Sequence, residues 1–238
     1  MTETMMEVRD RLVLPLDVGD LDTALAMAAQ VAPWFGVAKV GYELYAEAGP
    51  TAFGQLHDLG LRVFCDLKLH DIPTTVERGA AALARHGVDF LNAHAAGGVE
   101  MLQAFNAGVR QGAADVGVAR PVTLAVTVLT SDADTSAFAA RLAVAQAGGC
   151  DGVVCSGLEL DRVQAVGLRS MVPGVRPAGA ALDDQARVMA PGDAIAAGAD
   201  WLVIGRPVTR AADPAAAAAA IADEVATAVG RRRELTEG

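Results

Sequence analysis

Short apolar runs rich in β-branched residues alternate with longer alanine-rich stretches along the whole chain. The runs at Arg11–Asp17, Val37–Val40, Arg62–Asp66, Phe90–His94, Val122–Thr127, Gly152–Cys155, Arg169–Val172 and Trp201–Ile204 have the length and composition of buried strands. Between them, helices are predicted at Leu21–Val31, Thr51–Leu59, Thr75–His86, Val99–Gln111, Ser136–Ala147 and Leu160–Val166. An irregular turn with a short helix is predicted near Asp193–Ala197, and a final helix at Pro214–Val229. Asp-Gly, Pro-Gly and Gly-Gly pairs separate most of these elements. Eight strands each followed by a helix, repeating at roughly 25 residues, predict a single-domain (β/α)8 TIM barrel spanning 1–238. No linker or shift of composition marks a second domain.

Composition narrows the class further. A hydrophobic content of 53% is ample for a core, yet no apolar run reaches the roughly 20 residues of a membrane span. The opening Met1-Thr2-Glu3-Thr4-Met5-Met6-Glu7 is acidic and lacks a basic n-region, so a secretory signal is not expected. Cys65, Cys150 and Cys155 form no CxxC pair, which fits reduced core thiols in a cytoplasmic protein. A net charge of −10 argues against a nucleic-acid surface, and Arg231-Arg232-Arg233 reads as a solvated helix end. A cytoplasmic protein is the expectation, with neither membrane nor nucleic acid as partner.

The cations point to chemistry. Of 19 basic residues only Lys39 and Lys68 are lysines. Arginine stays charged at any working pH, whereas an ammonium is compact and can release its proton. A chain that prefers arginine everywhere else and keeps Lys68 suggests a general acid or an electrostatic role. In such barrels catalytic groups sit at the C-terminal ends of the strands. Asp17, Lys39, Asp66 and Lys68 fall at the ends of strands one to three, Thr127 and Thr130 follow strand five, Arg176 follows strand seven, and Gly205-Arg206 follow strand eight. Asp66 and Lys68, two apart, share a face of an extended segment; Asp71 has the opposite parity and could reach a partner chain. The loops after strands seven and eight of these barrels recurrently bind phosphate, and an arginine in each suits a phosphate dianion. The small-residue stretch from Pro177 to Gln185 would make a mobile lid over a phosphorylated substrate.

Structural readings stand beside these. Asp17 could cap a helix, Lys39 could simply pair with Asp66, and Thr127 and Thr130 could be strand and turn residues. His70 and His94 fit supporting positions, and without HxxxH, HExxH or CxxC spacing no metal site is expected.

The motifs Leu16-Asp17, Lys39-Val40-Gly41, Asp66-Leu67-Lys68-Leu69-His70-Asp71-Ile72-Pro73-Thr74-Thr75, Ala125 to Ser131, Pro173-Gly174-Val175-Arg176-Pro177, Gln185 and Ile204-Gly205-Arg206-Pro207 resemble the orotidine 5′-phosphate decarboxylase family over essentially the whole chain. The resemblance implies cofactor-independent decarboxylation of orotidine 5′-monophosphate by a homodimer with shared active sites. It implies that Lys39, Asp66, Lys68 and Asp71 form an alternating charged array, with Asp71 supplied by the other subunit. It assigns the ribose to Asp17, Lys39 and the partner chain's Thr75, and the pyrimidine edge to Thr130 and Ser131. Arg176, Gln185, Gly205 and Arg206 would hold the phosphate and the closed lid. The alternative is a magnesium-dependent sugar-phosphate decarboxylase or aldolase built on the same Asp-x-Lys-x-x-Asp strand. Those relatives carry a glutamate metal ligand where this chain has Lys39, whose charge would repel the ion.

Overall fold

The eight apolar runs become β1 (Leu12–Pro15), β2 (Val37–Val40), β3 (Arg62–Leu69), β4 (Phe90–His94), β5 (Val122–Val126), β6 (Gly152–Val154), β7 (Arg169–Pro173) and β8 (Trp201–Val203) in a computed structural model that describes residues 3–177 and 189–237. Each strand pairs in parallel with the next, and β8 pairs back onto β1, so the sheet closes into the expected barrel. Around it lie α1 (Glu3–Arg11), α2 (Leu21–Val31), α3 (Tyr42–Ala48), α4 (Thr51–Asp58), α5 (Pro73–Ala84), α6 (Gly98–Val116), α7 (Phe138–Ala147), α8 (Leu160–Ala165), α9 (Pro191–Ala196), α10 (Arg206–Thr209) and α11 (Pro214–Glu237). Three of these, α1, α3 and α10, lie where no helix is predicted from the sequence pattern. β1 stops at Pro15, so Asp17 stands in the loop beyond it, while β3 runs on past Asp66 to Leu69.

Alternation along the strands sorts the apolar residues into two clusters. One lies between sheet and helices; the other, with Val13, Val37, Phe64, Phe90, Met171 and Trp201, fills the barrel. Within the barrel, the rings of Phe64 and Phe90 meet edge to face with centroids 6.1 Å apart, and Phe90 meets Trp201 at 5.1 Å. Arg62 and Arg169, the first residues of β3 and β7, lay their guanidinium groups over Phe90 and Trp201 at 5.2 and 4.9 Å and close the N-terminal end. The barrel is therefore a plugged cylinder with an apolar floor beneath its C-terminal mouth.

A repeated device braces the N-terminal end. Gly87-Val88-Asp89, Gly149-Cys150-Asp151 and Gly198-Ala199-Asp200 each lead into an even-numbered strand. Each glycine has positive φ (76°, 75° and 96°), which lets the chain turn out of the preceding helix. Each aspartate then reaches back to the odd-numbered strand before it. Asp89 accepts the N–H of Val63 at 2.7 Å, and Asp151 and Asp200 accept those of Thr123 and Ser170 at 2.8 Å. Arg120 pairs with Asp151 at 2.7 Å as well. The N–H of the second residue in β3, β5 and β7 is thus satisfied at the barrel rim by the neighbouring turn.

Packing of α6 on α5 bears on the site. A Cβ at Gly108 or Gly112 would run into the backbone carbonyls of Glu77 and Ala81, so the two glycines let the helices touch backbone to backbone. That contact sets the position of α5, which begins at Pro73, two residues after Asp71. The cysteines are buried and unbridged, as expected of core thiols; burial, with the charge of Asp66 adding to it, pushes Cys65 up to about 12.

Candidate active site

Interior parity on β2, β3 and β4 stacks polar residues directly above the aromatic plug: Lys39 follows Val37, Asp66 follows Phe64, and Asn92 follows Phe90. Lys39 Nζ lies 3.1 Å from Asp17 Oδ1 and 3.2 Å from Asp66 Oδ2, and Lys68 Nζ lies 2.7 Å from Asp66 Oδ1. The result is a continuous chain of alternating charge, Asp17–Lys39–Asp66–Lys68. Gly41 leaves room for it: a Cβ there would stand 3.1 Å from Asp17 Oδ1 and 3.3 Å from Lys39 Nζ.

The two buried members, Asp66 and Lys39, are held ionised. Burial disfavours the charged form of Asp66, but the ammonium groups of Lys39 and Lys68 and the amide of Asn92 outweigh it and lower its pKa. Burial likewise opposes the charge on Lys39, and Asp66 and Asp17 overcome it and raise its pKa. The two shifts agree in sense. The depressed carboxyl stabilises the fold above its unfolded value and is lost as acid approaches its folded one. The raised ammonium does so below its unfolded value and is lost in strong base. Both contributions are present from about pH 4 to about pH 10.

Strand parity alone does not bring Lys68 back to Asp66. The β3–β4 ladder pairs Cys65 with Leu91 and then Leu69 with Ala93, so Asp66, Leu67 and Lys68 stand opposite the single residue Asn92. Lys68 adopts φ 46°, the one positive φ at a non-glycine among the described residues. Two side chains hold this bulge. Tyr42, at the start of α3, donates its hydroxyl to the Leu67 carbonyl at 2.8 Å, and Asn92 Oδ1 accepts the Lys68 N–H at 2.7 Å. Neither was singled out in the sequence. Asn92 had a legible signal, an amide on the interior face two residues after Phe90; the bulge it satisfies had none.

Two adjoining cavities open at the mouth and share Lys39, Pro173 and Val203. The larger, about 540 Å³, is lined by Asp17, Arg176, Gly205, Arg206 and, unforeseen in the sequence, Arg210. The smaller, about 240 Å³, contains Asp66, Lys68, Thr130 and Ser131 over walls such as Phe64 and Met171. One compartment thus gathers arginines, the other the lysine–aspartate array with hydroxyls at its rim.

The remaining predicted residues lie apart. Asp71 and Thr75 belong to an exposed stretch from His70 to Thr75 and line neither cavity; the Asp71 carboxylate accepts the N–H of Ile72 at 2.6 Å. Gln185, with the stretch from Ala178 onward expected to form a lid, lies outside the described residues. Thr127 is structural: its hydroxyl donates to the Val154 carbonyl at 2.8 Å and its own carbonyl accepts from Arg141. The rings of His70 and His94 lie tilted by 42° with centroids 5.5 Å apart, at the edge of the array. Burial, with the neighbouring charges of His70, Lys68 and Arg141, lowers the pKa of His94. Among the described residues no group of three or more histidines, cysteines or carboxylates is arranged to hold a metal ion.

The model of the orotidine 5′-phosphate decarboxylase / HUMPS family matches residues 10–221. The chain belongs to that family. It is 46% identical over 236 residues to the orotidine 5′-phosphate decarboxylase of Moorella thermoacetica, covering 92% of this chain and 94% of the relative. Identity to that of Halorhodospira halophila is 48% over 233 residues, covering 92% and 97%. Among solved structures, orotidine 5′-phosphate decarboxylase from Lactobacillus acidophilus superposes with a TM-score of 0.76 at 35% identity, covering 91% of this chain and 99% of that one. The family match spans all eight strands, and with them every member of the charged array.

Proposed function

We propose that this chain decarboxylates orotidine 5′-monophosphate to uridine 5′-monophosphate in pyrimidine nucleotide synthesis, without a cofactor. The observation that carries the reading is the Lys39–Asp66–Lys68 chain, with contacts of 3.2 and 2.7 Å, beside an arginine-lined cavity at the barrel mouth. A phosphate would lie against Arg176 and Arg206, the ribose between Asp17 and Lys39, and the pyrimidine edge at Thr130 and Ser131. Its reacting carbon would then face Lys68. Breaking the bond from C6 to the carboxylate releases CO2 and leaves the electron pair on C6, in an orbital the ring cannot delocalise. The Lys68 ammonium stabilises that charge and passes its proton to C6, and solvent restores the proton to Lys68. Asp66 holds the Lys68 ammonium in place by an ion pair of 2.7 Å and crowds the departing carboxylate.

The barrier to be removed lies in the upper part of the roughly 8–23 kcal/mol that enzymes supply, more than one ammonium provides. Binding energy from the distant phosphate, spent on ordering the array, supplies a further share. Asp71 and Thr75 of the partner subunit would complete the site in a homodimer. Asp17 and Asp66, the carboxylates open to a divalent cation at this position, are already bridged by Lys39, which favours the metal-free reaction. The test follows the ultraviolet absorbance of orotidine 5′-monophosphate with and without EDTA. Equal loss of substrate in both is the expected result; loss that EDTA abolishes, or turnover of sugar phosphates alone, would overturn the reading.

A further inference from the structure

Asn92 is a primary amide with 1% exposure, on a strand whose residues Phe90, Leu91 and Ala93 are apolar and buried. A buried amide must find partners at both ends. Here the ends are not interchangeable. The Lys68 backbone N–H can only donate, and the ionised Asp66 carboxylate can only accept, so the amide oxygen faces the first and the amide nitrogen the second, each at 2.7 Å. The acceptor end replaces the strand partner that Lys68 loses at the bulge, and it holds a lysine in a backbone conformation that L residues rarely adopt. The donor end grips Asp66 Oδ1, the oxygen that also receives Lys68 Nζ.

We propose that Asn92 is a positioning residue whose single amide, by clamping the Lys68 backbone and the Asp66 carboxylate together, aims the Lys68 ammonium at the reacting atom. This rests on the decarboxylase reading above. Without the clamp Lys68 relaxes toward ordinary strand geometry, its ammonium leaves the axis of the cavity, and Asp66 loses one of the donors that fix its rotamer. Asn92 does not line the arginine compartment and spends its hydrogen bonds on Lys68 and Asp66, so binding of the phosphate is spared.

Two substitutions test it. Asn92→Ala removes both contacts. In protein with a wild-type circular dichroism spectrum it should lower kcat about 100-fold, the scale of a misplacement near 1 Å, while KM and uridine 5′-monophosphate affinity stay close to wild type. Asn92→Asp keeps the acceptor for the Lys68 N–H but sets a carboxyl against Asp66. Once protonated, that carboxyl can donate to Asp66 as the amide does, so the ratio of variant to wild-type kcat should climb as pH falls. The surrounding titratable groups, Asp66 and Lys68 on β3, Lys39 on β2, and His70 with His94 at the edge, are common to both proteins, so the change of that ratio with pH reports the new carboxyl and its coupling to Asp66. A kcat near wild type for folded Asn92→Ala, or a matching collapse of KM and product affinity, overturns the proposal. If Asn92→Ala does not fold, the ratio decides alone, and a flat ratio overturns it. Wild-type protein inactive on orotidine 5′-monophosphate would instead sink the decarboxylase reading, and the positioning role with it.

Discussion

At position 68 the choice of cation carries consequences that its charge alone does not. Lys68 Nζ is confined by Asp66 at 2.7 Å and enters the cavity from a left-handed backbone, so both its reach and its angle are constrained. A guanidinium would extend past that point and would keep its proton. Lys68→Ala should therefore lower kcat at least about 1,000-fold with little change in melting temperature, and Lys68→Arg should not restore it. Steady-state rates beside thermal melts check this; rapid turnover by the arginine variant would show that charge suffices. The use of lysine only at positions 39 and 68 was legible in composition, because both ammonium groups meet the same carboxylate. The conformation of Lys68 was not. A positive φ at lysine follows from a bulge between two strands, and a bulge is a property of the pair.

At the scale of elements, strands were readable because burial on both faces writes each as a short continuous apolar run. The helices that escaped notice carry weak periods. α3 buries Leu44 alone, and α10 is four residues opened by Arg206-Pro207. The Gly-x-Asp turns were visible as residues yet silent about purpose, since an aspartate that braces the preceding strand looks in sequence like any loop carboxylate. Their contribution is measurable at Asp151. Burial would raise its pKa, but the hydrogen bonds from Arg120 and from the Thr123 N–H and hydroxyl lower it. A carboxyl with a depressed folded pKa stabilises above its unfolded value of about 3.9, and that stabilisation fades as pH falls through the folded value. Asp151→Asn should accordingly cost about 1 kcal/mol at neutral pH, discounted for the partial exposure of the Arg120 pair. Urea unfolding at neutral pH and near pH 3 measures both limbs. The gap between variant and wild type should narrow in acid; an equal gap at both would mean that shape rather than charge braces the rim.

At the scale of the whole molecule, the charged array within one chain ends at Lys68, and the carboxylate expected to extend it lies elsewhere. Asp71 is exposed, bonded to its own neighbour's N–H, and followed by Ile72, which is 66% exposed. Tyr42 (65%) and Leu158 (66%) are exposed too, in segments that follow β2 and β6 at the same C-terminal end. The proposed homodimer would bury these side chains against a second copy, and α5, packed on α6, would then present Asp71 across a two-fold axis. Subunit exchange separates this from a site completed within one chain. Asp71→Ala and Lys68→Ala proteins should each be inactive. Mixed under conditions that let subunits exchange, they form heterodimers in which one site collects both lesions and the other collects neither. With random pairing about half the dimers are mixed and each holds one sound site, so activity should return to about a quarter of wild type. If Asp71 acts in its own chain, every site keeps a lesion, and the mixture stays silent although native mass spectrometry detects the heterodimer.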